Sequence, residues 1–292
     1  MLKKLAFILF CLGHTALYAQ GTETLEQYTS FLNSILKQKP SAEVTAEFYR
    51  RSSDFWRPNK IDYNNRPDVY RNAMALYHQG QEKFPRIRDI KIDRFEDTIE
   101  RFRRFDNRNK MPENPILFVG SSSIVYWETA NSFPEYPVIN RGFGGASLPE
   151  VMYYYDDVIK RHNPSMMVVY CDIDVEGGKT PEFAVDAFKR LVARVEQDFS
   201  QIPILLLSMK PTLVDDILGG NVRANKMITN QQLNEYAATK SNVHFVDITS
   251  PMMVDEKLRS DIFIDDGMHL NPLGYTLWDP VLKQKIESII RE

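Results

Sequence analysis

The 292-residue chain is 43% hydrophobic and 26% charged, proportions that allow one sizeable core, or a core domain with an extension. A formal net charge of −3 supplies no global attraction for nucleic acid or an anionic membrane, so neither is expected as a partner. No apolar run beyond the first residues is long enough to span a bilayer.

Residues 1–19 read as a signal peptide. Lys3 and Lys4 supply a positive start, Leu5 to Leu12 a short apolar stretch, and Ala19-Gln20 a cleavage position, although Leu17 is larger than ideal there. Export to the periplasm or the extracellular space is therefore expected, with no membrane span left after processing. Cys11 would leave with the signal, and Phe10 before it does not suit lipidation. Cys171 then stands alone, and one cysteine cannot form an intrachain disulfide.

Residues 20–110 show helical spacing and no convincing strand. Phe95, Ile99 and Phe102 recur at i, i+4 and i+7, as an amphipathic helix requires, and the arginines between them alternate with Glu96, Asp97 and Glu100 as on a solvated face. The stretch from Phe55 to Pro67, with Trp56, Pro58 and Tyr63, reads as irregular. It is either a surface loop packed by its own aromatics or a loop over a substrate pocket.

After Pro115 the pattern changes. Short apolar runs at Ile116–Val119, Val138–Ile139, Met166–Tyr170, Ile204–Leu207 and Val243–Val246 suit strands buried on both faces. The segments between them carry helix signals. Ser147 to Glu150 forms a capping box, Thr180-Pro181 pairs a cap with proline, and Ala184, Ala187, Phe188, Leu191 and Val195 make a stripe. A last helix carries Leu282, Ile286 and Ile289. Alternation of this kind predicts an α/β fold, a five-stranded parallel sheet with helices on both faces over residues 111–292. Ligands in such sheets sit at the carboxyl ends of the strands.

Two motifs fall there. Phe118-Val-Gly-Ser-Ser-Ser-Ile124 follows the first strand, and Gly120 permits a sharp turn into the crevice. Asp266-Gly-Met-His269 precedes the last helix, where the carboxylate can orient the imidazole and the imidazole can take a proton from a serine. Of the other mature histidines, His78 and His162 fall on or near helices and His244 in a strand, without comparable acidic loop neighbours.

From about Met111 onward the chain resembles the SGNH, or GDSL-type, hydrolase family, in its platelet-activating-factor-acetylhydrolase-like branch. The Gly-Ser-Ser-Ser-Ile block, Asn140-Arg-Gly-Phe-Gly-Gly145 and the closing Asp266–His269 block occur in the family's order. The resemblance implies a flavodoxin-like three-layer α/β/α fold with Ser122 as nucleophile, His269 as base and Asp266 as its orienter. The amides of Ser122 and Gly145 would form the oxyanion hole, and no cofactor or metal is implied. The expected activity is hydrolysis of a small, acetyl-type ester, with a carbohydrate ester as a candidate substrate.

One block departs from the family. Cys171-Asp172-Ile173-Asp174 replaces Gly-x-Asn-Asp, so Ile173 stands where an oxyanion-donating asparagine is expected, and an ionised Asp172 nearby would repel the developing charge. That substitution carries the alternative expectation of a catalytically impaired binding protein on the same fold. Asp172, Asp174 and Glu176 also resemble half a calcium loop, but Phe183 occupies the twelfth position, so a solvated acidic loop is the better reading.

Overall fold

The computed structural model describes residues 23–85 and 91–291, and the expected signal peptide lies outside them. Four helices come first: α1 (Leu25–Ile35), α2 (Ala42–Asn65), α3 (Pro67–Lys83) and α4 (Glu96–Arg108). The segment expected to be an aromatic loop is instead the second half of α2, which continues through Pro58. Proline removes one backbone hydrogen bond, but Phe48, Ser52, Phe55, Trp56 and Tyr63 form a buried helical stripe whose packing outweighs that loss. Pro67 opens α3 at its first turn, where proline is tolerated. Stacked and edge-on aromatics, including Tyr28 on Phe55 and Trp56 on Tyr63, give α1–α3 a core of their own.

Five strands follow: β1 (Ile116–Gly120), β2 (Val138–Gly142), β3 (Met166–Tyr170), β4 (Ile204–Leu207) and β5 (Val243–Val246). They form one parallel sheet in the order β2-β1-β3-β4-β5. Every residue of β1, β3 and β4 is buried, which is why these strands read as unbroken apolar runs. The edge strands β2 and β5 are only partly covered and accommodate Asn140, Arg141 and His244.

Helices cover both faces. After β1 come α5 (Ser122–Val125) and α6 (Thr129–Ser132), after β2 α7 (Leu148–Tyr153) and α8 (Tyr155–Val158), and after β3 α9 (Ile173–Glu176) and α10 (Pro181–Phe199). After β4 come α11 (Asp215–Leu218) and α12 (Val222–Ala237), and α13 (Pro272–Arg291) closes the chain. Alternate strand residues feed two cores. Leu117, Val119, Met167 and Val169 pack with the α10 stripe, and Phe118, Val168 and Leu205 pack with Trp278, Leu282 and Ile286 of α13. The capping box at Ser147 and the Thr180 cap both form.

The N-terminal helices bind the α/β layer along two lines. From α2 and α3, Tyr63 donates to Asp216 (3.1 Å), Gln81 donates to the Ile217 and Leu218 carbonyls, and His78 contacts the Asp216 carbonyl (2.7 Å). On the other side, α4 sets Ile99 into the first core, Arg103 grips Asp157, and Asp106 pairs with Arg141 of β2.

His162 completes this last cluster as a neutral ring, its Nε2 accepting from Arg141 Nε at 3.2 Å. Burial, with Arg141 and Arg161 nearby, pushes its pKa down to about 3. The unfolded chain takes up a proton near pH 6.5 while the native ring does not, so this group's contribution is present above pH 6.5 and declines as pH falls towards 3. His162→Gln keeps an acceptor for Arg141 and should flatten the dependence of Tm on pH between 6.5 and about 5. The same slope in both proteins would assign that acid sensitivity elsewhere.

Candidate active site

Gly120 ends β1 with φ +139°, and a Cβ there would lie 1.7 Å from the Tyr170 carbonyl of β3. Only glycine lets the two strands stay paired to their ends while the chain turns. The Ser121 amide then donates to that same carbonyl (3.1 Å), and Ser122 opens α5 at the carboxyl edge of the sheet.

The turn before α13 brings the partner groups. Asp266 Oδ1 accepts from the amides of Met268 (2.8 Å) and His269 (2.9 Å), curling the chain so that Asp266 Oδ2 lies 2.5 Å from His269 Nδ1. His269 Nε2 is in turn 2.8 Å from Ser122 Oγ. Burial raises the Asp266 pKa, but the hydrogen bonds from His269 and the two amides outweigh it and hold the carboxyl below its ordinary value. An ionised Asp266 fixes the proton on Nδ1 and leaves Nε2 free to accept from serine. Ser122 and the Asp266–His269 motif, far apart in the sequence, thus form one continuous hydrogen-bonded chain. A contact from the N-terminal region backs this turn: the Lys60 stem of α2 lies where a Cβ on Gly267 would be, 2.8 Å from Lys60 Cδ.

Gly145 follows β2 with φ +80° in a tight turn closed by the Ala146 amide on the Phe143 carbonyl (3.1 Å). A Cβ on Gly144 would stand 3.8 Å from Ser122 Cβ, so this turn passes beside Ser122. Asn140 Nδ2 donates to the Ile124 carbonyl (2.6 Å) and ties β2 to α5.

Ile173 starts α9 half-buried against the first core and offers no donor. The expectation that Asp172 would repel an oxyanion is corrected by its surroundings. Its carboxylate is buried, 3.3 Å from Lys210 Nζ and 3.8 Å from Lys226 Nζ, and accepts from Tyr170 Oη at 2.5 Å. Burial raises its pKa, but the two ammonium groups and the tyrosine more than offset this and hold it well below the carboxylate range, so its charge is answered locally. Lys226 also pairs with Glu176 (2.7 Å) and Asp215 (2.9 Å), while Lys210 donates to Ser123 Oγ (3.0 Å). Ser121 Oγ lies 3.4 Å from Asp172. The acidic loop expected to be solvated is instead buried: Lys226 joins Asp172 and Glu176, and Asp174 accepts from the Leu148 amide (3.1 Å). Cys171 is buried, and burial pushes its thiol pKa far up, as suits a small core residue.

The GDSL-like Lipase/Acylhydrolase family matches residues 125–277, over half the chain, and the protein belongs to that family, whose general chemistry is ester hydrolysis. The match begins just after Ser122, so assignment of that serine rests on the contacts above. Among solved structures, the chain is similar to a proposed platelet activating factor from Streptococcus pneumonia (21% identity, TM-score 0.59, covering 65% of this chain and 91% of that one). It is also similar to a proposed acylhydrolase from Bacteroides fragilis (19%, TM-score 0.56, 70% and 99%) and to a GDSL-like lipase from Bacteroides thetaiotaomicron (17%, TM-score 0.55, 68% and 100%). At these identities the likeness is one of fold. No curated protein matches significantly.

Ile173→Asn restores a side-chain donor at the family position. Hydrolysis should rise about ten-fold or more, part of the ~10²–10³ that one oxyanion donor is worth. A steady-state assay showing no gain would mean that position 173 does not face the oxyanion.

Proposed function

We propose that this protein is an exported serine esterase that removes a small, acetyl-type acyl group from a carbohydrate. The single observation that carries the proposal is the 2.8 Å approach of Ser122 Oγ to His269 Nε2, with Asp266 at 2.5 Å behind the ring. Ser122 Oγ attacks the acyl carbonyl as its proton passes to Nε2, and the amides of Ser122 and Gly145 receive the charge on the carbonyl oxygen. His269 then returns the proton to the leaving alcohol oxygen. Water repeats the sequence on the acyl-enzyme and releases the carboxylic acid.

Export is argued from the amino-terminal sequence. The carbohydrate is argued from Tyr126, which is 53% exposed with its ring 5.0 Å from the His269 imidazole. It places an exposed aromatic side chain beside the imidazole that would return the proton to the leaving alcohol.

Purified protein should hydrolyse a short-chain chromogenic acetate, and Ser122→Ala should reduce the rate to background. Equal background rates in the two would favour the binding-protein alternative that Ile173 motivates. Tyr126→Ala should raise KM for an acetylated oligosaccharide several-fold, an effect of the size expected when an aromatic contact worth ~1 kcal/mol is lost. KM for the chromogenic acetate should hardly change. Equal effects on both substrates would remove the argument for a sugar at that position.

A further inference from the structure

The turn that carries Gly145 is held from outside the family's matched region. Arg94 Nη2 donates to the Gly145 carbonyl at 2.7 Å. The same guanidinium forks onto Glu150, with Nε to Oε1 at 2.5 Å and Nη2 to Oε2 at 3.1 Å. Glu150 closes the capping box of α7, accepting from both the Ser147 amide and the Ser147 hydroxyl at 2.8 Å. The next residue, Phe95, sets its ring edge-on to Phe143, 5.0 Å away, at the other end of the turn. Residues 143–150 are thus gripped at three points by two consecutive side chains of the N-terminal region.

The need for such a grip follows from the turn itself. A glycine at φ +80° has an alternative backbone conformation close in energy, and a Cβ on Gly145 would meet nothing within 4 Å, so the turn is open on that side. Its amide is one of two donors proposed for the oxyanion, and Ile173 supplies no third. With one donor fewer, the orientation of those that remain carries more of the barrier.

We infer that Arg94 is a positioning residue for the oxyanion hole, locking the Gly145 turn so that its amide faces the oxygen of the carbonyl attacked by Ser122. The inference rests on the serine-esterase reading above. Arg94 acts through geometry: a planar fork satisfies the Gly145 carbonyl and both Glu150 oxygens together, and an ammonium group cannot reproduce that arrangement. The lock spends a charge on holding backbone rather than on touching substrate.

The test compares the full-length protein with Arg94→Met and Arg94→Lys, using steady-state hydrolysis of a chromogenic acetate and hydrogen–deuterium exchange of peptides covering residues 142–150. Both variants should lose about ten-fold in kcat with KM unchanged, a fraction of the ~10²–10³ carried by one donor. Both should also show faster exchange in that turn, while peptides from β1 and β3 keep native protection. Full kcat in Arg94→Lys would overturn the inference, because charge alone would then suffice. Unchanged exchange in both variants would overturn it as well. The Ser122→Ala control separates the two readings: if it keeps native activity, the nucleophile assignment fails, while the exchange data still decide whether Arg94 holds the turn.

Discussion

At the ends of β1 and β3 two backbones meet at a distance that excludes any side chain. The missing Cβ of Gly120, against the Tyr170 carbonyl, keeps the central strands paired to their last residue and turns the next three residues over the sheet edge. The rest of the site is arranged around that turn. β2 brings the Gly145 turn beside it from one side, and the end of the chain brings Asp266 and His269 from the other. A larger residue at 120 would have to part the strands, and the reference point for all of these groups would move.

Beneath the turn lies a buried ionic network of two lysines with Asp172, Asp215 and Glu176. Removing one member of a buried pair typically costs about 3–5 kcal/mol, because the remaining charge is left uncompensated. The network also explains the run of three serines. Ser121 leans on Asp172, and Ser123 accepts from Lys210, so the two flanking hydroxyls face inward and Ser122 alone points at His269. Low dielectric makes these contacts strong, and it makes the flanking serines a rigid base for Ser122.

Much of this was legible in the sequence where a local rule and a long-range one agreed. Buried strands read as apolar runs, and the caps at Ser147 and Thr180 formed as written. Asp266 and His269 are close enough in sequence for an Asx turn to unite them. Two things were hidden. Pro58 suggested a break, because the aromatic stripe that holds α2 together is paired with α1 and α3, contacts that no single helix reveals. Lys210 and Lys226 gave no sign beyond an odd placement, one after a fully buried strand and one on the inward face of α12, so Asp172 looked uncompensated. The lack of a side-chain donor at Ile173 followed from residue type, and its place in the site from the family resemblance.

The docking of α2 and α3 has a consequence for how the chain assembles. These helices leave the ribosome early, yet the groups that receive them, Asp216, Ile217, Leu218 and the Leu258 carbonyl, are made late. The aromatic core shared by α1–α3 gives them something to bury in the interval. Synthesis runs from one end, but the interface is complete only when the chain has been made through Leu258. The Lys60 stem reaches Gly267 only once residue 267 has been made, so the Asp266–His269 turn acquires its backing late in assembly.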